Sequence, residues 1–69
     1  MVVYMDKKIN DFIVFCLESY KFHFNLSGKE TFDLFDKYDV FSYLEEGYDM
    51  LHTQGEGWLV NDINQIIGL

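Results

Sequence analysis

Residues 9–20, INDFIVFCLESY, decide the fold. Ile9, Phe12, Ile13, Cys16, Leu17 and Tyr20 recur at spacings of three and four, the period of an amphipathic helix, and wound at about 100° per residue they share one broad stripe. A strand would need alternation every second residue, and this stretch has none. Asp6 stands where a cap belongs, so a first helix is expected over residues 7–24, with Cys16 in the middle of its apolar side.

Working outward, Asn25, Leu26, Ser27 and Gly28 break the pattern, and Ser27 with Glu30 has the capping-box spacing that opens a second helix. There Phe32, Phe35 and Tyr38 are expected on the inner stripe beside Leu34, with Asp33, Asp36 and Lys37 outward and Asp39 ending or re-capping the helix. A third helix is expected over residues 40–52 from the recurrence of Val40, Phe41, Leu44, Tyr48 and Leu51. Gly47 in its interior costs about 1 kcal/mol relative to Ala and marks a kink or a tight contact. Ser42 and Glu45 offer a second capping box, with Val40 and Phe41 as an entry staple. Residues 53–57 read as a loop in which Gly55 suits a left-handed cap. A last helix is expected over 58–67, with Leu59, Ile63, Ile66 and Ile67 inward and Gly68 as its stop. A strand reading survives only for residues 1–5 and 58–60. The expected architecture is all-α, one small helical domain of residues 1–69 built as a compact bundle of three to four short helices whose short connections make sequential helices neighbours.

The chain has 69 residues, 49% of them hydrophobic and 19% aromatic, with seven Phe and no Pro. By surface scaling, a folded chain this small exposes roughly 4,500 Å² and hides roughly 60% of what its extended form shows. Folding at this size depends on dense packing, metal, disulfides or association. One Cys excludes an internal disulfide.

Twelve acidic residues against five Lys, with no Arg, give a net charge of -7 and argue against nucleic acid, whose phosphates demand cations. Anionic membrane surfaces are disfavoured for the same reason, and no apolar run reaches spanning length. Basic protein surfaces or cations are the electrostatically sensible partners. In residues 1–8 the apolar residues precede the lysines, the reverse of a secretory signal, and the lone thiol suits a reducing compartment, so a cytoplasmic location is expected.

The 13–20 stretch, the SGKE turn at Ser27 to Glu30, the run FDKYDVFSYL over 35–44 and YDMLHTQG over 48–55, followed by Val60, Asp62 and Ile63, resemble a bacterial family known as domain of unknown function 3791. The similarity spans nearly the whole chain, and the departure is Asn61, where an acidic residue more often precedes the Asp. The resemblance implies a short helical protein, often encoded beside a toxin with an ADP-ribosyltransferase-like fold, and hence an antitoxin-like or regulatory binding role. The family brings no established catalytic residues to carry over.

Catalytic and metal motifs are thin. His23 and His52 are too far apart for a compact zinc signature, and one Cys cannot complete a site. Gly28 and Lys29 lack the upstream Gly of a phosphate loop, and Glu30 stands where Ser or Thr would meet magnesium. Ser19, Ser27 and Ser42 lack a nucleophile elbow. Asp33, Asp36 and Asp39, like Glu45, Glu46 and Asp49, fit no calcium loop and read as solvated helix faces. Cys16, on the most apolar stripe, reads as core. No cofactor or metal is expected.

Two features remain open. His52, Thr53, Gln54 and Glu56 form a polar turn in which a His near a carboxylate could serve as base or ligand, or in which the same residues only cap a helix. Tyr4, Phe15 and Phe22 form a second apolar stripe about 120° to 150° from the first. Either later helices cover it, or Phe15 and Phe22, with Tyr43 and Trp58, present a protein interface. The leading expectation is a non-enzymatic interaction module that binds another protein. The alternative is a self-associating structural module, and the third is a small-ligand or catalytic site at the 52–56 turn.

Overall fold

The computed structural model describes residues 6–68. Every regular element among them is helical: α1 Lys7–His23, α2 Gly28–Lys37, α3 Val40–Glu46, α4 Tyr48–Leu51 and α5 Glu56–Ile67. The all-α expectation holds. The strand alternative over 58–60 is replaced by the first turns of α5, and that over 1–5 lies outside the described residues. The accessible surface is 4659 Å², close to the value expected from mass alone.

α1 starts where the Asp6 carboxylate accepts the Lys8 amide at 2.7 Å. It ends one residue before the expected limit in a Schellman closure: Asn25 takes a left-handed φ of 54°, the Leu26 amide reaches back to the Lys21 carbonyl, and the Asn25 amide to that of Phe22. Its inner stripe is the expected one, with Phe12, Ile13, Cys16 and Tyr20 buried, Ser19 buried beside them, and Ile9 and Leu17 at the margin. α2, α3 and α5 all pack against this helix.

The capping box of α2 is complete. Ser27 Oγ accepts the Glu30 amide at 3.0 Å, and the Glu30 carboxylate accepts the Ser27 amide at 2.8 Å. The inner side of α2 differs from expectation. Phe35 is fully buried, but its companion one turn earlier is Thr31, whose hydroxyl donates to the Ser27 carbonyl at 2.9 Å and so carries no unpaired polar group into the core. Phe32 and Tyr38 lie at the surface instead, Phe32 with its ring 5.1 Å from that of half-buried Phe41.

The expected third helix is two pieces. Gly47 separates α3 from α4, although its amide still reaches the Tyr43 carbonyl at 3.0 Å and its own carbonyl takes the Leu51 amide at 2.8 Å. The backbone turns without abandoning its hydrogen bonds, which is why Val40, Leu44 and Leu51 keep their buried period across the break. A β-carbon on Gly47 would lie 2.7 Å from Leu51 Cδ1 and 3.1 Å from the Tyr43 carbonyl oxygen, so a side chain there would force the buried Leu51 to move. α3 begins at Val40, not Ser42, after Asp39 in the left-handed region with φ 57°.

Gly55 corrects another expectation. It is extended, with φ -75° and ψ 165°, and opens α5 two residues earlier than expected. The left-handed stop occurs at Gly68, φ 80°, as expected. α5 buries Leu59, Val60, Ile63 and Ile67. The Tyr20 hydroxyl, whose ring sits edge-on to Phe35, donates to Asn64 Oδ1 of α5 at 3.1 Å, giving a buried aromatic side chain a polar partner.

Candidate functional site

The four aromatic residues singled out from sequence all lie at the surface. Phe22 is 83% exposed and Phe15 45% on α1, Tyr43 37% on α3 and Trp58 48% on α5. Phe15 and Phe22 are seven residues apart, two turns along the same outer face of α1. That face is left largely open, with Phe15 about half covered and Phe22 hardly at all. Tyr4, the third member of the stripe, lies outside the described residues.

Two ion pairs flank the α1 stripe. Lys7 Nζ lies 2.9 Å from the Asp11 carboxylate, and Lys21 Nζ 3.4 Å from that of Glu18. The hydrogen bond to Asp11, then its charge, raises the Lys7 pKa. Both pairs are open to solvent and contribute little to stability. They do set the local charge of the stripe close to neutral.

Tyr43 and Trp58 form a second group through Asp62. The Tyr43 hydroxyl donates to the Asp62 carboxylate of α5. Asp62 stands one turn after Trp58 on the same side of that helix, so the tyrosine of α3 is brought to the side of α5 that carries the tryptophan. The hydrogen bond to Asp62 is the main reason that the Tyr43 phenol is pushed up to about 12, with burial and the carboxylate charge adding to it. Nothing in the sequence announced this bond, because it joins residues 19 apart across two helices. Phe15 and Phe22 on one helix, and Tyr43 and Trp58 across two, thus form two groups.

The polar turn is organised as a helix ending. His52 stacks on Tyr48 with ring centroids 4.4 Å apart and donates from Nδ1 to the Tyr48 carbonyl at 2.6 Å. Tyr48 in turn meets Phe12 edge-on. The Thr53 hydroxyl donates to the Met50 carbonyl at 2.8 Å, and the Gln54 amide to that of Leu51 at 3.0 Å. Glu56 is exposed in the first turn of α5, where a carboxylate favours the helix dipole. These bonds run to the backbone of α4, and none joins the side chains of His52, Gln54 and Glu56 to one another.

Two shallow grooves mark the described surface. One of about 360 Å³ is lined by Glu46, Gly47, Asp49 and Met50, and one of about 320 Å³ by Leu26, Glu30, Asp33, Leu34 and Lys37. Neither is lined by the 52–56 turn. Among the described residues no group of three or more His, Cys, Asp or Glu is placed to hold a metal ion. Cys16 is buried, and burial pushes its thiol up to about 12. No described helix is long and apolar enough to cross a membrane.

Besides Phe32 and Tyr38, sequence reasoning missed the exposure of Met50, Val14 and Phe24. Met50 is 75% exposed beside the Gly47 bend, and Val14, 47% exposed, extends the outer face of α1. Val14 was legible, since winding at about 100° per residue places it next to Glu18 and Phe22. Met50 was legible too, since the period that Val40, Leu44 and Leu51 keep across the bend leaves it about 100° off their stripe.

Fold and surface together define a small acidic helical protein with solvent-facing aromatic groups and a conventional core. The chain belongs to the family described as "Protein of unknown function (DUF3791)", whose model matches residues 11–68. No curated protein and no solved structure matches it.

Proposed function

We propose that this protein is a non-enzymatic, acidic protein-interaction module of the cytoplasm, acting as an antitoxin-like or regulatory partner of another protein. The observation that carries the reading is the exposure of Phe15, Phe22, Tyr43 and Trp58 in a chain whose small core would gain from burying any of them. Large aromatic side chains left at a surface are the usual anchors of protein interfaces, where two or three of them supply most of the binding energy.

Charge narrows the partner. No lysine follows Lys37, while Asp39, Glu45, Glu46, Asp49, Glu56 and Asp62 make up half of the twelve acidic residues. Tyr43 and Trp58 therefore sit in a part of the chain that carries only negative side chains, which favours a partner with a basic rim around an apolar pocket. A toxin of ADP-ribosyltransferase-like fold, the kind of neighbour that the family resemblance implies, is the first candidate.

Coexpression with the adjacent gene product tests this. A stable complex is expected, weakened by salt and lost when Tyr43 and Trp58 are both replaced by Ser while helicity is retained. Failure of the two proteins to copurify at low salt would remove the antitoxin-like reading.

A further inference from the structure

We propose that the outer face of α1 is the contact between two copies of this chain, an isologous and weak dimer interface distinct from the surface around Tyr43 and Trp58. The occupant is set by charge. Each copy carries a net -7, so two copies repel wherever acidic faces meet. α1 is the exception. It holds three of the five lysines, Lys7, Lys8 and Lys21, against Asp11 and Glu18, and both of those carboxylates are already paired within the helix. Val14 and Phe15 lie between these pairs and Phe22 directly after the second, 47%, 45% and 83% exposed. This is the apolar surface that two strongly acidic molecules can bring together at least electrostatic cost. A basic partner would find no excess of negative charge on it.

The spacing suits a two-fold axis. Phe15 and Phe22 lie about 10 Å apart along the helix. When two α1 helices meet antiparallel, Phe15 of one copy packs beside Phe22 of the other, and the same contact recurs across the axis, as an isologous interface requires. The area sets the strength. Taking about 200 Å² for a whole aromatic side chain, the three residues offer on the order of 300 Å² per copy before the flanking lysine stems are added. A standard interface takes about 800 Å² from each partner, so the dimer belongs to the weak, concentration-dependent class. The proposal does not depend on the partner-binding reading, and either can fail without the other.

The test is sedimentation and light scattering of the full chain from about 5 µM to about 1 mM. The expected mass rises with concentration from 8.2 kDa toward twice that value. Added salt strengthens the association, since it screens the residual repulsion, whereas a complex with a basic partner would weaken. Phe22→Ser is expected to raise the dissociation constant at least tenfold with an unchanged circular dichroism spectrum, and Tyr43→Ser to leave it unaltered. A mass of 8.2 kDa at every concentration overturns the proposal. So does a dimer that Phe22→Ser leaves intact, and so does loss of helicity in that variant, which would assign Phe22 to the folded core.

Discussion

Tyr43 on α3 and Asp62 on α5 are joined through the phenol hydroxyl and the carboxylate, a bond near the surface between helices whose other shared contacts are few. The bond needs the phenol proton. With its pKa pushed up to about 12 from an ordinary 10.0, Tyr43 keeps that proton in the fold at pH values where the unfolded chain has lost it. Its contribution to stability is therefore complete below about pH 10 and disappears as pH rises towards 12. Absorbance titration should show Tyr43 ionising late, as does Tyr20, whose phenol is raised by burial, and Asp62→Asn should bring only the Tyr43 ionisation back toward the ordinary range. An unchanged late ionisation in Asp62→Asn would assign the shift to burial.

The close approach at Gly47 separates two glycine substitutions that helix propensity alone would treat alike. Gly47→Ala drives a methyl against Leu51 Cδ1, in the buried core, and against the Tyr43 carbonyl. A loss of about 1 to 3 kcal/mol is expected from overpacking. Gly57→Ala, in the first turn of α5 with open space around it, is expected to gain about 0.5 to 1 kcal/mol. Urea denaturation of the two variants checks the difference in sign.

The reciprocal bonds of Ser27 and Glu30 are the clearest local signal to have been realised in the fold. Ser27→Ala removes the acceptor for the Glu30 amide and should cost about 1 kcal/mol. Ser27→Asp, which keeps an acceptor at the cap, should cost little. Thermal melts of both variants suffice, and equal losses would show that the cap contributes nothing specific.

Cys16 should be chemically silent in the folded protein. Cys16 is 1% exposed, and burial pushes its thiol from an ordinary 9.0 up to about 12, so almost no thiolate exists at neutral pH. Labelling by a thiol reagent should follow global unfolding and accelerate as denaturant is added. Because the raised pKa belongs to the folded state, the stability it carries is complete below about pH 9 and is lost as pH climbs toward 12. Rapid labelling at neutral pH without denaturant would show that α1 opens locally.

What could be read from the sequence follows from the range over which each signal acts. The inner stripe of α1, the Ser27 cap and the Gly68 stop depend on residues within a turn or two of one another, and each was found where periodicity and capping chemistry put it. The split at Gly47 was half legible: a glycine inside an apolar period signals a bend or a close approach, but the neighbour that occupies the space, Leu51, is known only from the fold. Thr31 was missed because a polar residue was not expected inward, and its hydroxyl reaches a carbonyl four residues back. Gly55 was read as left-handed from composition, whereas α5 starts there and an extended residue is what its entry requires. Of the candidate surfaces, the exposure of Phe15 and Phe22 follows from a helix that is apolar on two sides. The pairing of Tyr43 with the Trp58 side of α5 depends on Asp62 and has no local trace.

With no lysine after Lys37 and half of the acidic residues beyond it, α3 to α5 carry negative charge that no lysine of their own offsets, while α1 is close to neutral. A molecule so charged does not approach a charged surface at random. In the field of the proposed basic partner the acidic residues of α3 to α5 are drawn forward before any side chain makes contact, which raises the fraction of encounters that begin in a productive orientation. The advantage appears in the rate of association and fades as ions shorten the reach of the field, while the lifetime of the complex, once apolar groups have met, changes much less.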